Sequence, residues 1–302
     1  MSPVANYIVA EKKEDVCNGV GLPAWFKQPL ADEFSLSQLR LLKKTGQETV
    51  CLQARCPNLN SCFKNRQLTF MILGGSCTRN CLFCAVPKAN GVKLEVDLAE
   101  PQRISRLVED LGIQYAVITS VTRDDLADGG AEQFVRVIEE INPGVLVEIL
   151  IPDFMGQENS IRKAAESRAA VIAHNLETVK RLSRMLRPQA DYRRSLNVLR
   201  SVKHYNPGTI TKSSLMLGLG ETREEVIEAL ADLRRAGCGI LALGQYLAPS
   251  PAHYPVKEFI APEQFDEYAG LAREIGFLAV ASGPLVRSSY KAEELYRSIH
   301  NA

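Results

Sequence analysis

No run of about 18 apolar residues occurs in the 302-residue chain, so nothing in it reads as a membrane-spanning helix. An excess of charge of one sign is missing too. Lysine and arginine number 36 against 35 aspartate and glutamate, and a formal net charge of +1 gives no general attraction to nucleic acid or to a membrane surface. Residues 5–10 run straight into the charged stretch 11–15, too short and too acidic for a signal or transit peptide, so no export is expected. No internal repeat or low-complexity tract is present. The glycine pairs Gly74-Gly75 and Gly218-x-Gly220 lack the lysine and hydroxyl of a phosphate-binding loop and read as points of close backbone approach. Histidine is scarce, at four residues: His204, His253 and His300 sit in no motif, and a lone His174 at a strand end reads as hydrogen-bonded structure. What remains is ordinary soluble composition, 46% hydrophobic and 24% charged, on a chain long enough to bury a full core.

Against that background the cysteines stand out. Six of the eight form two triplets: Cys51, Cys56 and Cys62 spaced C-x4-C-x5-C, then Cys77, Cys81 and Cys84 spaced C-x3-C-x2-C. A disulfide framework is the weaker reading, since the thiols are clustered and no secretory signal precedes them; a cytoplasmic, reducing setting is expected. Three thiolates on one tight loop can hold three corners of a cubane 4Fe-4S cluster and leave the fourth iron open to chemistry. Structural zinc is the bland alternative, but such sites close with four ligands and usually pair short C-x2-4-C knuckles, whereas each group here supplies three. The first triplet, wider and interrupted by Pro57, reads as an irregular loop around a second cluster that needs a fourth ligand from elsewhere. Cys17 and Cys238 stand alone and read as small buried or surface residues.

From residue 68 onward, short β-rich runs alternate with helical patterns, the signature of βα units and a parallel sheet. Six runs are expected as strands, at 68–73, 115–120, 145–150, 169–173, 211–217 and 239–246, with 277–281 as a candidate late strand. Thr222 and Glu225 form a capping box, and Val226, Ile227, Leu230 and Leu233 trace one apolar helix face that Gly237 stops. The expected fold class is α/β, a partial (β/α)6 TIM-like barrel with N-terminal and C-terminal extensions, whose strand ends gather the cysteine loop and other polar residues at one mouth. Gly19, Gly21, Pro23, Pro29 and Pro57 break up the start of the chain, where only 36–44 looks helical. The expected division is an extension at 1–65, the barrel at 66–285 and a tail at 286–302.

The loop Gly74-Gly75-Ser76-Cys77-Thr78-Arg79-Asn80-Cys81-Leu82-Phe83-Cys84 resembles the signature of the radical S-adenosylmethionine (SAM) superfamily. With both triplets in this order, together with residues 119–125, His174-Asn175-Leu176-Glu177-Thr178, Gly218-Leu219-Gly220-Glu221 and the tail Arg287-Ser288-Ser289-Tyr290, nearly the whole chain is similar to the lipoyl synthase family. The resemblance implies two 4Fe-4S clusters and S-adenosylmethionine as cofactors. Cys77, Cys81 and Cys84 would hold the cluster that binds S-adenosylmethionine, and Cys51, Cys56 and Cys62 an auxiliary cluster with a tail serine, assigned to Ser289 rather than Ser288, as fourth ligand. Residue physics alone reads that tail as a polar chain end. Phe83, Thr119, Ser120, Asn175, Glu177 and Arg187 resemble positions lining the cofactor pocket. On plainer grounds Thr119 and Ser120 end a strand, Asn175 caps a helix, and Glu177 and Arg187 are surface charges.

The activity the resemblance implies is insertion of two sulfur atoms into unactivated carbon-hydrogen bonds, at the sixth and eighth carbons of an octanoyl chain carried on a lysine of a partner protein. A carboxylate or imidazole cannot deprotonate such a methylene, so a cofactor must supply a radical. S-adenosylmethionine would be cleaved to a 5'-deoxyadenosyl radical, and sulfur would come from the auxiliary cluster, which is consumed. Implied partners are octanoylated lipoyl domains of 2-oxoacid dehydrogenases and the glycine cleavage H protein, an electron donor such as ferredoxin or flavodoxin, and an iron-sulfur carrier for cluster repair. Arg193 and Arg194 offer charge to an acidic carrier domain, against the plainer reading of a solvated helix start. A monomer is expected. The rival readings are another sulfur-inserting or methylthiolating enzyme, which would lack this first triplet and tail together, and a zinc-stabilised interaction module without catalysis.

Overall fold

The computed structural model describes residues 22–27, 33–54, 56–91 and 95–301. Cys17, Gly19, Gly21, Pro29 and the acidic start of the chain, all weighed above, lie outside the described residues. Seven strands, β1 (Thr69–Ile72), β2 (Tyr115–Ser120), β3 (Leu146–Leu150), β4 (Val171–Ala173), β5 (Ile210–Leu217), β6 (Ile240–Gln245) and β7 (Ala279–Gly283), form one sheet in sequential order. Every neighbouring pair is parallel. The six expected strands are present, and the late one joins as β7 against β6, so the open barrel is one strand wider than six units.

Helices fill each crossover: α4 (Glu100–Asp110), α5 (Ala131–Glu140), α6 (Glu158–Ala165), α7 (Lys180–Leu186) with α8 (Tyr192–Tyr205), α9 (Arg223–Arg235) and α10 (Pro262–Ile275). Among the described residues three α-helices precede the sheet, α1 (Glu33–Thr45), α2 (Val50–Gln53) and α3 (Leu59–Lys64), and α11 (Ala292–His300) follows it. The Thr222 and Glu225 capping box is formed at the start of α9. Strand residues on the outer face, Phe70, Ile72, Ile118, Ile149 and Ile172, pack with Ile104, Leu107, Phe134, Val137 and Ile161 from the helices. Leu215, Leu217, Leu241 and Leu243 do the same with Val226, Leu230, Leu233 and Phe265. Fully burying each such side chain is worth roughly 1.5–3 kcal/mol, so this layer accounts for the fold's cohesion.

The inner face is closed from below by the tail. Ala292, Leu295, Tyr296 and Ile299 of α11, one stripe at helical spacing, meet Tyr115, Val117, Val171, Ile240 and Ala279. This helix replaces the plain polar chain end of the residue-level reading. To reach it, the chain leaves β7 and crosses close over β6. A Cβ built on Gly244 would lie 2.0 Å from the Val286 carbonyl oxygen, so only glycine fits beneath the crossing segment. Midway up the inner face, Lys212 is paired with Glu148 at 2.7 Å, and the Tyr115 hydroxyl donates to the same carboxylate at 2.8 Å.

Candidate functional site

The second triplet lies on the loop that leaves β1. Leu73 and Gly74 both adopt left-handed backbone, φ 67 and 88, and turn the chain from the strand out over the mouth. The loop is tied down along its length. The Cys77 amide donates to the Pro87 carbonyl and the Ala89 amide to the Cys77 carbonyl, each at 2.8 Å. The Leu82 amide donates to the Leu186 carbonyl at 2.9 Å, and the Tyr254 amide to the Leu82 carbonyl at 3.0 Å.

Arg79, between the first two cysteines, is the loop's anchor. Its guanidinium forks onto Asp124 at 2.7 and 2.8 Å and reaches Asp153 at 2.5 Å. Asp153 also accepts from Arg194 at 2.7 Å. Burial alone would raise the Asp153 carboxyl, but the hydrogen bond and charge of Arg79, with the charge of Arg194, hold it well below the usual carboxylate range. The fully buried Arg123 forks onto Asp125 at 2.8 Å and donates to the Leu73 carbonyl at 3.4 Å. The segment 119–125 thus braces the root and middle of the cysteine loop, a role that the sequence reading did not assign. Arginines and aspartates at that density are the signal that could have found it.

Around this loop the expected cofactor residues converge unevenly. Ser120 Oγ, Asn175 Oδ1 and Arg187 Nε are buried with no hydrogen-bond partner, and so is His174 Nε2. Orphaned polar atoms at such density are uncommon in a folded interior and call for a ligand or water. Arg187 is otherwise held by its own segment, donating to the Leu176 carbonyl at 3.1 Å. Glu177 has left-handed backbone, φ 69, and its amide and carbonyl bridge to β5. Burial raises its carboxyl against the opposing influence of Arg187 and Asn175. Thr119 spends its hydroxyl proton on the Leu150 carbonyl at 2.9 Å, and Phe83 packs against the apolar cluster of β5 and β6. Asn175 caps no helix, because Val179 holds the N-cap position of α7. His174 is hydrogen-bonded as expected: its Nδ1 lies 2.9 Å from the Ile151 carbonyl, which can only accept, and that leaves Nε2 a bare acceptor. Burial, reinforced by Arg187, pushes its pKa down to about 4 and keeps the ring neutral.

Cys51 sits on α2 and Cys62 on α3, with Cys56 on the turn between, so the first triplet rides on two short helices rather than a wholly irregular loop. Thr49 starts the first of these by accepting from the Leu52 amide. All three thiols line one small cavity, together with Thr69, Tyr115, Arg287 and Ser289. The Thr69 hydroxyl donates to Ser289 Oγ at 2.8 Å. Ser288 does not line this cavity. Arg287 donates to the Gln245 carbonyl at 3.2 Å; burial lowers its pKa while Cys56 opposes that shift.

All seven described cysteines are free thiols. Burial, then Cys56 nearby, pushes Cys51 and Cys62 up to about 12. Cys81 rises to about 11 through burial against the pull of Arg187, and Cys84 is raised by burial. A dry thiol set with few opposing cations leaves its charge to be balanced by metal, which deprotonates such ligands on binding. Among the described residues no three His, Cys, Asp or Glu side chains converge on a point suited to one metal ion. A cubane asks for a different arrangement, because each thiolate binds a separate iron. The donor set fits two such groups, and the orphaned polar atoms fit a polar cofactor at the mouth.

Comparison with known proteins adds the relationships. Residues 71–233 match the model of the radical SAM superfamily. The chain is 50% identical over 273 residues to the lipoyl synthase of Caldanaerobacter subterraneus subsp. tengcongensis, covering 90% of this chain and 95% of that one. It is 48% identical over 279 residues to the lipoyl synthase of Thermus thermophilus, covering 91% and 86%. Among solved structures it resembles methylornithine synthase, with TM-score 0.52, 16% identity and 70% of each chain covered. Streptococcus suis SuiB bound to S-adenosylmethionine gives TM-score 0.55 at 13% identity, covering 84% of this chain and 57% of that one. At such identities the structures speak for the fold.

Proposed function

The chain belongs to the lipoyl synthase family within the radical SAM superfamily, and from that membership we propose that its two cysteine triplets hold two 4Fe-4S clusters with divided roles. The activity is the radical-mediated insertion of two sulfur atoms, at the sixth and eighth carbons, into an octanoyl chain borne on a lysine of a lipoyl-carrier protein. Bound at their sites, the clusters and S-adenosylmethionine supply the hydrogen-abstracting radical and the sulfur. Cys77, Cys81 and Cys84 hold the cluster at the mouth, on a loop that Arg79 and Arg123 keep from moving. Ser120, Asn175, Glu177 and Arg187 orient the cofactor, with Phe83 and Thr119 as packing and shaping residues beside it; His174 accepts one of its hydrogen bonds. Cys51, Cys56 and Cys62 hold the auxiliary cluster, and Ser289, set by Thr69, is its fourth ligand.

A single observation carries the division of labour: the tail brings Ser289 into the cavity of the first triplet, whereas the mouth triplet lines up with the orphaned polar atoms. A site completed by the chain suits a group held in reserve; an incomplete one suits a cofactor. Buried, water-poor surroundings protect a radical once formed. Lipoyl domains and glycine cleavage H protein are the proposed carriers, with ferredoxin or flavodoxin as reductant, an iron-sulfur carrier for repair, and the cytoplasm as the setting.

The test is an anaerobic assay with S-adenosylmethionine, dithionite and an octanoyl-lysine peptide, read by mass analysis. Replacing Cys77, Cys81 or Cys84 by Ala is expected to stop 5'-deoxyadenosine formation. Replacing Cys51, Cys56 or Cys62 is expected to leave cofactor cleavage running and abolish sulfur insertion. Dithiolated product from the first-triplet variants would overturn the assignment of the sulfur donor.

A further inference from the structure

The inference rests on the functional reading just given, in which the reacting acyl chain arrives on another protein. Such a chain, on one lysine arm, reaches the mouth only if the carrier's surface is pressed against the rim. The rim around the cysteine loop is built from three segments that touch it: the turn Phe154–Gly156, the end of α7, and residues 187–191 before α8. Arg79 Nη2 reaches Met155 Sδ at 3.3 Å, the Leu82 amide bonds the Leu186 carbonyl, and the Asn80 amide bonds the Gln189 side chain at 3.2 Å. Since α8 already bridges β4 to β5, α7 is an additional helix held at the mouth by that Leu186 contact.

Seven large apolar side chains are exposed among the described residues, and three of them stand on this rim: Leu82 at 42%, Met155 at 50% and Met185 at 45%. Met155 is placed there at a cost. Phe154, Met155 and Gly156 all have left-handed backbone, φ 45, 54 and 77, and for each non-glycine residue this conformation costs on the order of 1–2 kcal/mol. Phe154 is buried edge-on against Phe134, so the strained turn anchors one side chain in the core and lifts the next into solvent. Strain at an exposed turn beside a reactive loop is a mark of function.

The charges on the rim are unequal. Asp124 and Asp153 are paired with Arg79 and Arg194, while the Asp191 carboxylate, which accepts from the Arg194 amide at the start of α8, is among the described residues the one rim acid that keeps an unpaired charge. Arg184 and Arg193 are exposed and enter no ion pair among the described residues. The surplus is therefore positive, around an apolar centre of two flexible methionines and a leucine. Methionine adapts to surfaces of different shape, which suits more than one carrier.

We propose that Leu82, Met155 and Met185, flanked by Arg184 and Arg193, form the docking surface for an acidic carrier domain bearing the octanoylated lysine. The test uses the full chain with its clusters reconstituted, dithionite as reductant, and two substrates: an octanoylated carrier domain and a short octanoyl-lysine peptide. The double variant Arg184→Glu with Arg193→Glu is expected to raise KM for the carrier by about tenfold, with kcat and the peptide's KM unchanged, because rim charges act chiefly on encounter. Met155→Ser is expected to raise the carrier KM in the same selective way. Equal effects on both substrates, or none on the carrier, would overturn the proposal. So would a defect seen only when a protein electron donor replaces dithionite, which would give the rim to the donor. If the unaltered protein makes no lipoyl product from either substrate, the functional reading itself fails, and the docking surface with it.

Discussion

Single residues set the surroundings of the two cysteine groups apart. Ser288 and Ser289 are neighbours of identical chemistry, and only the fold separates them: Ser289 receives the Thr69 hydroxyl inside the cavity of Cys51, Cys56 and Cys62. Ser289→Ala is expected to cut dithiolated product by at least about a hundredfold while 5'-deoxyadenosine continues to form, with Ser288→Ala near the unaltered protein, both read in the peptide assay. Asp153 belongs to the other site and acts through Arg79. Its carboxyl is held below its unfolded value, so its stabilisation is complete above that value, about pH 4, and is lost as the pH falls through the folded one. Asp153→Asn is expected to lower the unfolding free energy at neutral pH by about 3 kcal/mol and to flatten the acid limb of urea-unfolding curves measured against pH. The grouping of the cysteines was legible because each triplet lies in one stretch of chain, and Cys51, Cys56 and Cys62 do line one cavity. The bracing set of Arg79, Arg123, Asp124, Asp125 and Asp153 was not, because a buried ion pair joins residues whose separation in sequence carries no rule. The bare Nε2 of His174 was not legible for a related reason: only the contact of Nδ1 with Ile151 reveals it.

Strands were the easiest elements to read. Six buried runs lie within about two residues of their sequence-derived ends, because the face of each parallel strand that packs under the helices must be apolar. The helices α2 and α3 escaped, since segments of four and six residues cannot hold a helix by propensity and depend on Thr49 and on packing. The helix α11 escaped because its charged residues masked the stripe Ala292, Leu295, Tyr296 and Ile299. That helix fixes the far end of the segment that delivers Ser289, and Gly244 is the pass through which the segment reaches it. Gly244→Ala is expected to push residues 286–289 off β6, at a cost of about 1–3 kcal/mol. Bound iron should fall toward half in anaerobically reconstituted protein, while cofactor cleavage persists. Unchanged iron content and thermal midpoint would show that the tail's path does not govern the auxiliary site.

At the scale of the molecule, an open seven-stranded sheet solves two problems at once. Its strand ends present the loop of Cys77, Cys81 and Cys84 at one mouth, the usual face for chemistry on parallel βα folds. Its outer edge at β1, where Thr49 bridges Phe70, receives the first triplet from the N-terminal side and the serine tail from the C-terminal side, so segments far apart in sequence meet beside Thr69. No helix among the described residues is long and apolar enough to cross a membrane. Under the proposed function, the protein gives up sulfur from its own first-triplet cluster to the acyl chain. Reconstitution with heavy-isotope sulfide, removal of all free sulfide, and a single turnover with octanoyl-lysine peptide test it most directly. Both sulfur atoms of the product are expected to carry the label, with no more than one product per chain and none from Cys51→Ala. Unlabelled sulfur in the product, or labelled product from Cys51→Ala, would contradict it.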